Sequence, residues 1–399
     1  MDLYLQFGYG MMGHSEHLIK KWGGGTVVLS PRDLEVNQMV NLSKKLAKDN
    51  GTVLIDPQFY APRANHERLI SHSFWPDDEY QTSLFNTEKV RQMLLALKND
   101  YNDVFETSYF ILPATKISEI DEDWYNYNNM IVSAAGEINI TQPILHTLCF
   151  SKEVLSSENQ MHDALEYIET WKDIDGFYVV PEPSNNSYLI DDPNWLVNLI
   201  DFCSGVNRLG KKVVVGYCHH QHLCLALAKV DAICSGTWLN VRSFNANKFH
   251  KKEEDSASRR TTWYYCPQAL SEYQIRFLDL AQRIGRLDEL KTDLGFNSAY
   301  VDPLFSGAQP STVNFGEKEA FRHYLQCLKI QVASSVKDSY AETRSSLKIQ
   351  LETADRITAE LNQAGIRGRD RDFSNVVDIN HSAIDVFHQQ RGMLSEHTW

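Results

Sequence analysis

Asp56 ends the strand-forming run in GTVLIDPQFYAPR (51–63), where Val53, Leu54 and Ile55 give way to a carboxylate, a proline, an amide, two aromatics and an arginine. A carboxylate so placed can serve as general acid, base or nucleophile. An Asp-Pro step is also an ordinary way to leave a strand and begin a turn. Glu182 closes a similar run, GFYVVPE (176–182). Two such acids on one rim would suit cleavage of a glycosidic bond, which needs a proton for the leaving group and a carboxylate for the developing oxocarbenium charge. Before Pro183, Glu182 could instead cap the helix that starts near 193 or face solvent.

Around these acids stand groups that could hold a ligand. Arg32 in LSPRDL and Arg242 in LNVRSF carry guanidinium forks suited to phosphate or carboxylate, or to a salt bridge with Asp33 or Asp56. Gln58, Tyr60, Tyr217 and Asn240 add amides and aromatic faces for a flat base, as do Tyr9 and Trp238, although rim aromatics also serve as packing. In CHHQH (218–222) the three imidazoles leave a strand-to-helix turn in different directions, not with the spacing of a zinc site. His219, directly after the strand, is the candidate proton donor or base. FGYGMMG (7–13) lacks the spacing of a dinucleotide fingerprint, and no cofactor is expected.

What positions these residues is an alternation. Eight β-rich runs, at 2–10, 25–33, 51–58, 107–114, 142–150, 176–182, 211–219 and 231–238, are separated by amphipathic segments at 15–22, 34–48, 87–101, 121–137, 158–172, 193–209 and 220–229. Near-continuous apolar strands alternating with helices imply parallel strands covered on both faces. Eight units within about 240 residues match a (β/α)8 TIM-type barrel, with a doubly wound open sheet as the alternative. In a barrel, active sites lie where strands end. That rule places Asp56, Glu182, His146, Cys149, His219 and Arg242 on one rim and sets Asp56 across a cavity from Glu182 and Arg242.

The remainder reads as a C-terminal helical appendage. The division expected is a barrel over 1–249, a helical extension over 250–335 that packs on it, and a helical tail over 336–399 able to meet a protein partner or a second copy. The 399 residues are 43% hydrophobic with a formal charge of −13, and the basic residues form no long run, so no extended nucleic-acid footprint is announced. Seven scattered cysteines without a CxxC pair fit reduced cytoplasmic thiols. The first residues carry no basic signal region, and no apolar run approaches 18 residues, so neither secretion nor membrane spanning is expected.

Strands six to eight, GFYVVPEPSN, KKVVVGYCHHQHLCLALAKVDAICSGTWLNVRSF, resemble the tRNA-guanine transglycosylases, including the transglycosylase-like proteins of bacterial DNA 7-deazaguanine modification. The likeness rests on order and spacing over roughly residues 25–330: Glu182 after strand six, Gly216 in strand seven, KVD (229–231) before strand eight and Arg242 after it. By this resemblance Asp56 is the acid acting at the glycosidic bond, and His323 in EKEAFRHYLQCLKI occupies the place of a zinc-binding histidine. The family's second acid would fall in CSGTW (234–238), where no Asp stands. Its zinc cysteines have no counterpart beyond Cys266, so no zinc is expected. The resemblance implies exchange or cleavage at an N-glycosidic bond of a nucleobase, nucleoside or nucleic acid. The alternatives are a barrel that has lost catalysis and binds a nucleotide or nucleic acid within a larger complex, and a barrel hydrolase of unrelated substrate.

Overall fold

Valine, isoleucine and leucine cluster in most of the β-rich runs, and in a computed structural model of the chain every run contains a strand. The structure describes residues 1–61, 64–76, 86–185, 187–250 and 261–399. Arg63 and most of the charged stretch HKKEEDSASRRTT (250–262), expected to be a solvated excursion, lie outside them. The strands are β1 (Asp2–Gln6), β2 (Gly25–Leu29), β3 (Gly51–Ile55), β4 (Phe110–Leu112), β5 (Ile144–Phe150), β6 (Gly176–Pro181), β7 (Lys212–Val215) and β8 (Ala232–Ser235). They pair in parallel in the order β3-β2-β1-β8-β7-β6-β5-β4, which is the order of a TIM-type barrel.

One seam differs from the expected closed ring. Among the described residues β3 and β4 share no ladder. They are joined by the Ser108 amide donating to the Val53 carbonyl (3.3 Å) and, beyond the strands, the Lys116 amide donating to the Tyr60 carbonyl (2.7 Å). β4 is only three residues long and runs into Pro113, which has no N–H to extend a ladder. Pairing resumes in the two-residue strand Lys116–Ile117 alongside β5. The lumen is filled by side chains. The Tyr178 hydroxyl of β6 donates across it to Gln6 of β1 at 3.0 Å, and Gly216 makes room for that phenol, since a Cβ there would lie 2.6 Å from the hydroxyl.

The outer layer is α1 (Met12–Trp22), α2 (Val36–Ala47), α3 (Thr87–Ala96), α4 (Glu122–Gly136), α5 (Glu158–Glu169) and α6 (Pro193–Arg208). Their starts are written locally. Asn86, Asp121, Ser157 and Asp192 each accept a hydrogen bond from a first-turn amide, and Pro193 occupies the first position of α6, where no donor is missed. The segment expected to be a seventh helix, His220–Ala228, is 3₁₀ instead. All nine of its residues are buried, so it offers no polar face to solvent.

After the barrel come the hairpin β9 (Trp263–Cys266) and β10 (Ser271–Gln274), then α7 (Ile275–Arg283), α8 (Glu317–Ser335), α9 (Tyr340–Gln363) and α10 (Val377–Thr398). The hydrophobic core of the barrel continues into Leu325, Leu347 and Phe387 of α8, α9 and α10. A smaller core gathers Tyr264, Leu278, Leu304 and Ile366. Arg391 of α10 grips Asp201 of α6 through two hydrogen bonds of 2.8 and 2.9 Å. Among the described residues no helix is long and apolar enough to cross a membrane.

Candidate active site at the barrel mouth

Asp56 follows β3 directly and points into the mouth, where it is 0% exposed. One carboxylate oxygen accepts from the Gln58 amide (2.9 Å) and the Tyr60 hydroxyl (2.6 Å), the other from the Tyr217 hydroxyl (3.0 Å). Burial pushes the carboxyl above its ordinary range, and the hydrogen bonds from Tyr60, Gln58 and Tyr217 pull against that rise. Neither arginine pairs with it: a salt bridge from Arg32 or Arg242 to Asp56, one of the roles open to those arginines, is not formed, and neutral phenols stand there instead. Gln58 and Tyr217 both adopt left-handed backbone (φ 56° each). For residues with a Cβ that conformation is costly, and it brings an amide and a phenol onto one carboxylate. The Gln58 side chain in turn accepts from the Arg32 amide (2.9 Å) and the Ser30 hydroxyl (3.1 Å).

Above Asp56 lies the segment from Phe244 to Phe249. Phe244 packs on Tyr60 and Tyr217 with ring centroids 5.1 and 5.3 Å away, and Phe249 packs on Tyr60 at 5.4 Å. Lys248 sets its ammonium 3.9 Å from the centre of the Tyr217 ring and donates to the Asn240 carbonyl at 2.8 Å. Loss of hydration lowers this lysine to about 7, with Arg32 adding to the fall while Asp33 and Asp56 oppose it.

Glu182 lies on the other side of that segment. It pairs with Lys116 at 2.8 Å and lines an open cavity of about 660 Å³ together with Lys152, Tyr188, Asn240, Asn245 and Asn247. Asp56 does not line it. The arrangement expected from strand ends, with Asp56, Glu182 and Arg242 facing one another, is therefore not formed. Each has its own partners.

Arg242 turns toward the appendage. It donates to Glu272 of β10 (3.3 Å) and to the Gly236 carbonyl (2.8 Å), and lies flat on Tyr324 of α8 with its guanidinium carbon 3.4 Å from the ring centre. Arg371 shares the same carboxylate at 2.8 Å. Burial would raise Glu272, but Arg371 and Arg242 outweigh it and hold the carboxyl below its usual range. Arg32, by contrast, pairs with its neighbour Asp33 (2.9 Å) and donates to the Lys248 carbonyl (2.6 Å). It fastens the segment over Asp56.

The histidines are interior. His219 accepts from the Gln221 amide at 3.3 Å as the cap of the 3₁₀ turn, and burial takes its ring well below the ordinary value. Burial lowers His220 to about 3 and His222 to about 4. At neutral pH all three are uncharged and shielded from solvent, a poor setting for the proton transfer assigned to His219. His146, placed on the rim by the strand-end rule, sits within β5 and bonds outward to Asn128 of α4 at 2.9 Å. Tyr9 is 67% exposed, and its carbonyl accepts from Trp238. His323 holds the Tyr265 carbonyl and Ser298, both at 2.7 Å. Among the described residues no three His, Cys, Asp or Glu side chains are grouped to hold a metal ion.

Sequence reasoning missed Lys116, Lys152, Asn245, Asn247, Lys248 and Glu272. Lys116 carries a weak signal, following a strand end by a few residues as rim groups do. Glu272 carries none, because its hairpin belongs to the appendage.

No family model and no curated protein matches the chain. Among solved structures it is similar to the carboxyl transferase domain from Rhizobium etli pyruvate carboxylase with 3-bromopyruvate, at 10% identity and a TM-score of 0.33. The alignment covers 98% of this chain and 60% of that one. So distant a likeness says nothing of substrate or mechanism; the barrel rests on the strand pairing described above.

Proposed function

We propose that this barrel binds a nucleoside, free or as a unit of nucleic acid, in the cavity beside Glu182. The observation that carries this reading is the separation of the two acids. The acid that the resemblance assigns to the glycosidic bond is sealed and accepts three hydrogen bonds, while the accessible cavity has a lining suited to recognition. Its volume falls within the usual range for small-molecule sites, about 300–1,000 Å³. Amides at Asn240, Asn245 and Asn247 suit the edge of a base, and Tyr188 and Phe244 offer aromatic surface. Lys116 is neutralised by Glu182, so a ligand of low net charge fits better than a polyphosphate. The resemblance to transglycosylases supports a nucleobase as the recognised group.

A second reading, chemistry at an N-glycosidic bond, is favoured by one feature: two left-handed, non-glycine residues converge on Asp56. Strain of this kind gathers at functional sites. Burial raises the affinity of the Asp56 carboxyl for its proton, the direction that suits a group donating to a departing base. Titration calorimetry with the four ribonucleosides and with short single-stranded oligonucleotides tests the binding reading, and release of free base from the same compounds tests the second. Asn240→Ala and Asn247→Ala should each weaken nucleoside binding at least tenfold. Absence of binding at millimolar nucleoside would overturn the binding reading.

A further inference from the structure

The segment 244–249 has two faces with opposite duties. Its inner face, Phe244, Lys248 and Phe249, covers Tyr60 and Tyr217, the phenols that hold Asp56. Its outer face, Asn245, Ala246 and Asn247, lines the cavity that contains Glu182, and Phe244 at the start of the segment borders both sides. The segment thus stands between the phenols over Asp56 and the cavity. From these contacts we infer that residues 244–249 form a strap that opens as a unit, joining Asp56 to the cavity and bringing the buried acid within reach of the ligand bound there.

Three observations point to a movable strap and not to fixed core. First, among the described residues the hydrogen bonds on the Asp56 carboxylate come from Gln58, Tyr60 and Tyr217 and none from the strap, so opening would leave the acid organised. Second, the polar fastenings are few: Arg32 to the Lys248 carbonyl, Lys248 to the Asn240 carbonyl, and the His66 amide to the Phe249 carbonyl at 3.1 Å. Third, the strained residues Gln58 and Tyr217 lie directly beneath, at the place the strap would uncover. Burial of two phenylalanine rings keeps the closed form dominant, so the open form is a minor state, and a ligand must favour it to populate it.

This inference rests on the proposed cavity as the ligand site, and the test separates the two. All seven native cysteines are buried, which makes them internal controls for a thiol introduced by Asp56→Cys. The introduced thiol should react with dithionitrobenzoate in native buffer, and at least tenfold faster when combined with Phe249→Ala, while the seven native thiols stay protected. Reaction no faster than that of the native thiols, with or without Phe249→Ala, would show fixed core and overturn the strap. An equal rise in all eight would show global loosening and overturn it as well. If Asp56→Cys does not fold, amide exchange on the wild-type chain decides: peptides over 244–249 should exchange at least tenfold faster than those over β1 and β8, and equal protection would overturn the strap. A strap that opens in a protein binding no nucleoside leaves this inference standing and removes the binding reading. Nucleoside binding over a strap that never opens does the reverse.

Discussion

Asp56 and Glu182 leave parallel strands at the same end of one barrel, yet the first is 0% exposed while the second keeps 20% of its side chain in water. Asp56 is satisfied by neutral hydroxyls and an amide, Glu182 by a lysine that is itself 31% exposed. Strand direction brought both to the mouth, and what followed each strand separated them. After β3 the chain continues through Phe59 and Tyr60 under the strap. After β6 it turns at Pro183 along the wall of the cavity. A rim position confers proximity to a site, whereas access to solvent and substrate depends on loops from other strands.

The contrast predicts unequal costs of mutation. Asp56→Ala leaves three buried donors without an acceptor, at ~1–3 kcal/mol apiece, so a loss of at least ~3 kcal/mol is expected in urea unfolding. Asp56→Asn, which keeps one acceptor oxygen, should lose less than half of that. If Asp56→Ala proved as mild as Glu182→Ala, the distinction between a sealed floor and a wet wall would be wrong. Next comes Arg242→Met. It leaves Glu272 buried with Arg371 alone, and a broken buried ion pair predicts a loss of ~3 kcal/mol. Arg32→Met, at a pair of adjacent residues, should cost distinctly less in the same assay.

Titration sharpens the comparison further. His220 and His222 stay neutral in the fold down to about 3 and about 4, whereas in the unfolded chain they take up protons near the ordinary value. As pH falls from 6.5 toward 4, the unfolded state therefore binds more protons and stability declines, by up to ~1.4 kcal/mol per pH unit for each group. His220→Phe should flatten the pH dependence of the urea midpoint by about one proton in that window. Asp56 has the opposite sign. Because its folded pKa is raised, its contribution is fully present below the unfolded value and is lost as pH rises through the folded one. The smallest effect is expected for Glu182→Gln and Lys116→Met. Each should fall within ~1 kcal/mol of wild type, as for other part-exposed pairs, and a larger loss would mean that the wall is as rigid as the floor.

The barrel was legible because its strands and helices are coded by local pattern. Runs such as Val53-Leu54-Ile55 and Val213-Val214-Val215 must be covered on both faces, and Asp192-Pro193 announces a helix whatever lies elsewhere. By the same logic strand ends named Asp56, Gln58, Tyr60, Glu182, Tyr217 and Arg242, all of which do lie at the mouth or its margin. Local pattern is silent about which of them meet. Tyr217 reaches Asp56 across 161 positions, Arg242 turns to Glu272 in the appendage, and Glu182 finds Lys116 from another strand end. Phe244 and Phe249 read as unremarkable loop aromatics until the fold lays them over Tyr60. Hydrophobic period depends on residues within a turn or two of one another and was therefore determined by the sequence itself. Burial, hydration and ion pairing depend on what distant segments place within a few ångströms, so only the tertiary structure decided that one acid is enclosed and the other open.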